Sequence, residues 1–376
     1  MTQALRLALG TASALGFARF AYGLLLPAMR DDLGWSLAQA GAMNTANGLG
    51  YLLGALLAAV VVRRLGTAAA FRWGMSLTAV ALAATALSSD FVVLLAARAA
   101  AGVTGAVVFI AGGVIAARIA ARSSSGAPLT IFFAGAGLGI AVSGASIPAL
   151  GSAWRTGWIG LGVAAAVAAL VSWTAARTDG DPPSRATGRA RVLPLWRVAL
   201  PYVLFAIGYI TYITFLSAYL ADRAASVAQV TLVWTVMGLA VIAAPALWSR
   251  AVVGWPGGTA LGTLLAILAA GAALALVSAA LPVVLASVIL YGATFMCVPA
   301  AVTARVRDGT PPQDWTATIA AFTTLFAAGQ TAGPWIAGVV ADHTSTGATV
   351  AWTAVLCAAG AAIAVTARRP HPAPQA

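Results

Sequence analysis

Long apolar runs broken by short polar groups organise the whole chain. The runs lie at roughly 6–29, 37–62, 69–89, 91–117, 127–150, 156–176, 198–221, 227–249, 257–280, 282–304, 315–340 and 346–367. Each offers about the 20 residues that a helix needs to cross a bilayer. Transmembrane β-strands would be about ten residues long and would alternate apolar with polar positions; these runs do not. The pattern predicts an all-α polytopic membrane protein with 12 transmembrane helices. The first run is too long for a cleavable signal peptide, carries Arg19 near its middle and is followed at once by a second apolar run, so it counts as helix 1.

The longest polar segment, RTDGDPPSRATGRARVLPLWR at 177–197, is rich in Pro, Gly and Arg and reads as a linker. It divides the chain into a six-helix bundle at 1–176 and a second at 198–376. The halves look related at an offset of 190 residues: Ala28 matches Ala218, Asp32 matches Asp222, Ala38-Gln39 matches Ala228-Gln229, and Gly48-Leu49 matches Gly238-Leu239. Two pseudo-symmetric parallel bundles form a transporter architecture, with the substrate held near mid-membrane between them.

Composition sharpens this picture. The chain is 61% hydrophobic and 8% charged, against roughly 25% charged in soluble domains. That excludes an ordinary soluble enzyme, a disordered chain and a nucleic-acid-binding domain. All 21 cations are arginine and all nine anions aspartate, giving a net charge of +12. The arginines punctuate the apolar runs instead of forming one basic face. With the N-terminus in the cytoplasm, 16 arginines face inside and three (Arg30, Arg155 and Arg223) face outside, which fixes both termini as cytoplasmic. Ten of the 12 tryptophans, including Trp35, Trp154, Trp158, Trp248 and Trp255, fall near predicted helix ends, as an interfacial belt requires. Cys297 and Cys357 lie alone in apolar runs and make neither a disulfide framework nor a metal site.

Three local features resemble the major facilitator superfamily. The loop AAVVVRRLGTAAAFR after helix 2 places Arg64 and Gly66 as in that family's Gly-x-x-x-Asp-Arg-x-Gly-Arg loop, with Arg63, Ala59 and Thr67 departing from it. Helix 4, LLAARAAAGVTGA, carries Arg98 and Gly102 in the family's Arg-x-x-x-Gly spacing. Helix 5, GAGLGIAVSGASIP, is similar to the Gly-rich motif of exporters without its Gly-Pro pair, which occurs instead in helix 11 as GQTAGPWIAG. The opening GFARFAYGLLLPAMRDDLGWSLAQAGAMNTANGLGYLLG resembles the YbfB-like branch. The resemblance implies the major facilitator fold and a transporter. It also implies that Arg98 takes part in substrate or coupling chemistry.

Arg19 is the most informative residue. A guanidinium at mid-membrane depth costs at least about 2.5–3.5 kcal/mol against lipid, so it faces an interior. Gly16, Tyr22 and Gly23 share its face at α-helical spacing. One reading makes Arg19 the partner of an anionic substrate; the other makes it a structural arginine bonded to backbone carbonyls. Arg98 lies about 12 Å from the outer end of helix 4 at 1.5 Å per residue and either joins the site or snorkels outward. Asn44, Asn47 and Tyr51 form a polar stripe on helix 2. Tyr209, at the repeat position of Arg19, and Tyr212 lie on helix 7, and Gln330 sits among small residues in helix 11. Substrate contact and helix packing are both open to these side chains. The Gly-x-x-x-Gly pairs at Gly50, Gly135 and Gly329 read as close helix packing.

No predicted helix centre holds an acid. Coupling therefore uses an end-positioned acid such as Asp32 or Asp314, or the substrate carries the charge, or transport is uncoupled; protons are the candidate coupling ion. No HExxH, GxSxG or buried catalytic constellation appears, so no enzyme, cofactor or metal is expected. The expectation is a monomeric secondary transporter of the inner membrane. It moves a small organic solute, anionic by the excess of buried arginine, by alternating access, with export favoured. The alternative is a transporter-like sensor or partner protein that moves no solute.

Overall fold

The computed structural model describes residues 1–177, 188–255 and 258–367. Among these the regular structure is entirely helical, in twelve long elements. The first six are α1 (Thr2–Leu33), α2 (Leu37–Leu65), α3 (Thr67–Thr85), α4 (Phe91–Arg122), α5 (Ala127–Ser146) and α6 (Trp154–Ser172). The second six are α7 (Trp196–Ala221), α8 (Val227–Gly254), α9 (Thr259–Val277), α10 (Leu281–Gly309), α11 (Trp315–Asp342) and α12 (Gly347–Ala364). Ten of them are apolar and long enough to cross a membrane unaided. The other two, α3 with Arg72 and α11 with its threonines and Gln330, are helices of 19 and 28 residues whose polar side chains lower their hydropathy.

In the first set, α2 packs along α4, α3 fits between α4 and α6, and α1 lies on α5. In the second set, α7 packs on α11 and α12, and α9 joins α12 to α10. Across the two sets, α2 lies against α11 and α5 against α8. The 190-residue repeat is visible in the backbone. Ser36 and Gln39 form a capping box at the start of α2, and Ser226 and Gln229 form the same box at the start of α8. Each box satisfies two of the helix's unpaired N-terminal donors. Arg6 bonds the Val171 carbonyl near the end of α6, and Arg197 bonds the Thr366 carbonyl after α12. Arginine there offsets the partial negative charge of a helix C-terminus.

Glycine sets the distance between the two sets. A β-carbon on Gly48 would lie 3.1 Å from the Thr331 Cα of α11, and one on its repeat partner Gly238 would lie 2.7 Å from the Ala141 Cα of α5. Side chains at either place would push the sets apart. Hydrogen bonds from Leu37, Ala38 and Asn44 to the second set lie on the half of the bundle away from the linker, here called the far end.

The tryptophans depart from a simple interfacial belt. Trp73, Trp196, Trp255 and Trp335 are exposed, but Trp154 and Trp158 are fully buried. The Trp154 indole N–H donates to Asp32 at 2.8 Å, and Trp158 lies beside Arg98. Trp154 is thus turned toward an exposed carboxylate at the end of α1 and Trp158 toward a buried arginine, and neither ring lies out on the surface.

Candidate functional site

α1 is the most enclosed helix, with 94% of its apolar span buried. It is not a continuous α-helix. Residues Ala12–Phe20 form a π-helical stretch, which closes with the Ala21 amide donating to the Gly16 carbonyl five residues back at 2.8 Å. Such widened turns are concentrated at functional sites. Gly16, within this stretch, rides against Gly139 of α5, where a β-carbon would lie 2.5 Å from the Gly139 Cα.

The π turn breaks the face that α-helical spacing assigns to Arg19. Gly16 meets α5, Gly23 meets the Ile213 carbonyl and Trp234, and Tyr22 stands beside Arg98. Arg19 itself is 2% exposed, and its guanidinium carbon lies 5.5 Å from the centre of the Tyr51 ring on α2. Its Nε and Nη2 have no hydrogen-bond partner among the described residues. The ring face returns about 0.5–2 kcal/mol, whereas each buried donor left unpaired costs about 1–3 kcal/mol or more when charged. Arg19 is therefore under-satisfied where it stands.

The second set supplies the other side of this region. Tyr209 of α7 lies within reach of the Arg19 charge, and Tyr51 feels both Arg19 and Tyr209. The Tyr209 hydroxyl donates to Gln330 Oε1 of α11 at 2.9 Å, which leaves the buried Gln330 Nε2 without a partner. Arg19, Tyr51, Tyr209 and Gln330 thus gather from four helices and both sets. Asn44 reaches the same interface by donating to the Thr214 hydroxyl of α7, and its Oδ1 is unpaired.

The remaining candidates lie elsewhere. Arg98 is fully buried beside the rings of Tyr22, at 5.1 Å, and Trp158, at 4.8 Å, which stack on each other 6.4 Å apart. Its side chain lies inward and does not snorkel, and its Nε, Nη1 and Nη2 have no hydrogen-bond partner among the described residues, so it is under-satisfied as Arg19 is. The Tyr22 hydroxyl is committed to the Ala40 carbonyl at 2.7 Å. Asn47 donates to the Arg98 carbonyl at 3.1 Å and ties α2 to α4. Tyr212 shares a hydrogen bond with Ser287 and stacks on Tyr291 with centroids 4.1 Å apart, inside the second set. Arg98 and Arg19 are close enough to feel each other's charge.

Residue types alone pass over an aromatic group beside Arg19. Phe20 meets Phe295 of α10 edge-on at 5.8 Å. Tyr209 stacks on Phe205, Phe295 and Phe326 within 20–22° of parallel. The signal is present as helical spacing at Tyr202, Phe205 and Tyr209 on α7 and at Phe322, Phe326 and Gln330 on α11.

The carboxylates near helix ends have structural partners. Asp32 receives Trp154 and Arg155, Asp90 caps α4, Asp222 receives Thr346, and Asp308 faces Arg305. Asp342 receives the Leu37 and Ala38 amides. Asp314, ahead of α11, accepts the Arg189 amide at 2.9 Å and the Arg191 guanidinium at 2.5 Å. The Arg189 amide foremost, then Arg191, holds its pKa below the usual carboxylate range. A surface cleft of about 600 Å³ lined by Pro27, Asp31, Asp32, Trp154 and Arg155 lies at the far end, apart from Arg19.

Twelve helices in two pseudo-symmetric sets of six, with under-satisfied polar groups where the sets meet, define a membrane transporter of the major facilitator type. The chain belongs to the family described as "Uncharacterised MFS-type transporter YbfB", whose profile matches residues 11–369. Among solved structures it is similar to a bacterial homolog of the human lysosomal transporter Spinster, in an inward-facing and occupied conformation, at 16% identity and TM-score 0.74 over 98% of each chain. It is also similar to the nucleoside transporter NupG, at 13% identity and TM-score 0.67 over 96% of each chain. The human organic anion transporter MFSD10 (TETRAN) matches at 16% identity and TM-score 0.64, over 96% of this chain and 98% of that one. No curated protein sequence matches the chain.

Proposed function

We propose that this transporter moves a small organic anion by alternating access, with Arg19 as its anchor. The observation that carries the reading is the pair of unpartnered guanidinium nitrogens of Arg19, 2% exposed, beside the Tyr51 ring and within electrostatic reach of Tyr209 of the other set. A carboxylate supplies two acceptors in one plane, the geometry that a guanidinium fork meets best. Gln330 Nε2 is a further donor, and Asn44 Oδ1 offers an acceptor to a hydroxyl or amine of the solute. Units at 1–176 and 198–376, joined by the cytoplasmic linker 177–197, would rock about this point. Hydrogen bonds at the far end close that side of the site in this conformation; with both termini cytoplasmic in the inner membrane, export is the direction that the resemblance of α5 to the Gly-rich helix of exporters supports. The 16-to-3 arginine distribution and the Gly-rich α5 support this orientation and direction.

The protein would act as a monomer without a cofactor. No aspartate lies in the site, so the charge moved is the solute's own unless Asp32 or Asp314 carries protons. Flux of labelled organic anions in proteoliposomes, chosen by a thermal-shift screen of the purified protein, tests the reading, because a bound ligand raises the melting temperature by mass action. Saturable flux lost in Arg19→Gln supports it. Binding without flux marks a sensor instead.

A further inference from the structure

Resting on that reading, we infer that the anion is aromatic: a planar ring bearing a carboxylate, held by Arg19 and stacked against the ring wall of α7, α10 and α11. The unmatched polar capacity beside Arg19 is mostly donor: Arg19 Nε and Nη2 and Gln330 Nε2. The rest of the second-set lining there is buried ring, with Phe205 and Phe295 1% and Tyr209 5% exposed. Tyr209 stacks on Phe205 at 4.7 Å and 20°, on Phe326 at 5.5 Å and 22°, and on Phe295 at 6.0 Å and 21°. Tyr202 continues the group on Phe326 at 5.0 Å and 19°. These planes are nearly parallel, and the group ends beside the cation: Tyr209 feels the Arg19 charge, and Phe295 meets Phe20, the neighbour of Arg19, edge-on.

Parallel ring planes next to a guanidinium distinguish flat from puckered anions. An aliphatic acid gains apolar burial there as an aromatic one does, but only the flat π-system adds stacking on Tyr209 or Phe295 and cation–π contact with Arg19. A stacked pair is worth about a two- to tenfold gain in affinity beyond burial. Tyr51, already under the Arg19 guanidinium, shows that the cation accepts a ring face.

Titration calorimetry on the purified full chain with benzoate, cyclohexanecarboxylate and benzamide tests this. These probes match in size and differ in flatness or charge. Benzoate is expected to bind at least threefold tighter than cyclohexanecarboxylate and at least tenfold tighter than benzamide. Phe326→Leu, or Phe295→Leu if that variant folds poorly, should bring benzoate and cyclohexanecarboxylate to within twofold of each other. Arg19→Gln should remove both acids. Equal binding of the two acids by the unmodified protein, with both lost in Arg19→Gln, sinks the aromatic class and leaves the anion site standing. Benzamide binding as tightly as benzoate, or no binding of either acid, sinks both.

Discussion

The Asp342 carboxylate at the end of α11 accepts the Leu37 amide at the start of α2, 2.7 Å away and 305 positions earlier in the chain. Its second oxygen accepts the Ala38 amide at 2.9 Å. With Ser36 and Gln39 closing their own box, the first turn of α2 finds its acceptors, two of them from the opposite set. The repeat position, at the start of α8, has the box, but residue 152, which stands for Asp342 there, is a serine. The far end is therefore pinned on one side by a carboxylate at a helix N-terminus.

Asp342→Asn should loosen this pin by about 1 kcal/mol, roughly a fivefold shift toward a far-end-open state. Spin labels at the exposed positions Asp31 and Thr344 report it. The distance distribution should gain a longer component in the variant, and an unchanged distribution would remove Asp342 from the gate.

Gly238→Val should cost about 1–3 kcal/mol by overpacking, since a β-carbon there would lie 2.7 Å from both the Ala141 Cα and the Gly137 carbonyl oxygen. Gly254→Ala, on the same helix with open space around it, should melt like the parent. Thermal melts of the two proteins give the comparison.

Arg98→Met should separate the two buried arginines. Arg98 is enclosed by Tyr22 and Trp158 inside the first set, so an apolar chain of similar length should hold stability within about 1 kcal/mol or raise it. Loss of its charge near Arg19 should weaken anion binding two- to fivefold in a titration. A loss as deep as that of Arg19→Gln would put Arg98 in contact with the solute.

Asp314 gives a pH signature. Its pKa is depressed in the folded protein by the Arg189 amide and Arg191, so its contribution is present above the ordinary carboxylate value of about 4 and is lost as pH falls through the lower folded value. Melts from pH 7 to pH 3 should show an acid-side decline that Asp314→Asn reduces. At pH 7 the same variant should speed hydrogen exchange at the Arg189 amide.

The run pattern is enough to count twelve helices, because a membrane span repeats one simple requirement, although polar side chains leave α3 and α11 less apolar than the other ten. The repeat is legible for a similar reason: Gln39 and Gln229 cap equivalent helices, and Gly48 and Gly238 set equivalent contacts. Arg19 is legible because a mid-membrane charge needs a reason. The placing of Tyr22 is not, since α-helical spacing puts it on the face of Arg19 and the π turn at Ala12–Phe20 carries it to Arg98. Trp154 and Trp158 mislead because a ring near a helix end suits an interface equally well, and only their partners, the carboxylate of Asp32 and the buried Arg98, tell the difference. The Asp342 pin joins residues 305 positions apart, a distance that no local pattern spans.

The account rests most directly on titration of one organic carboxylate into the unmodified protein and into Arg19→Gln, with melting curves for both. It predicts matching melts without ligand and at least a hundredfold weaker binding in the variant. Binding within threefold of the parent would contradict it.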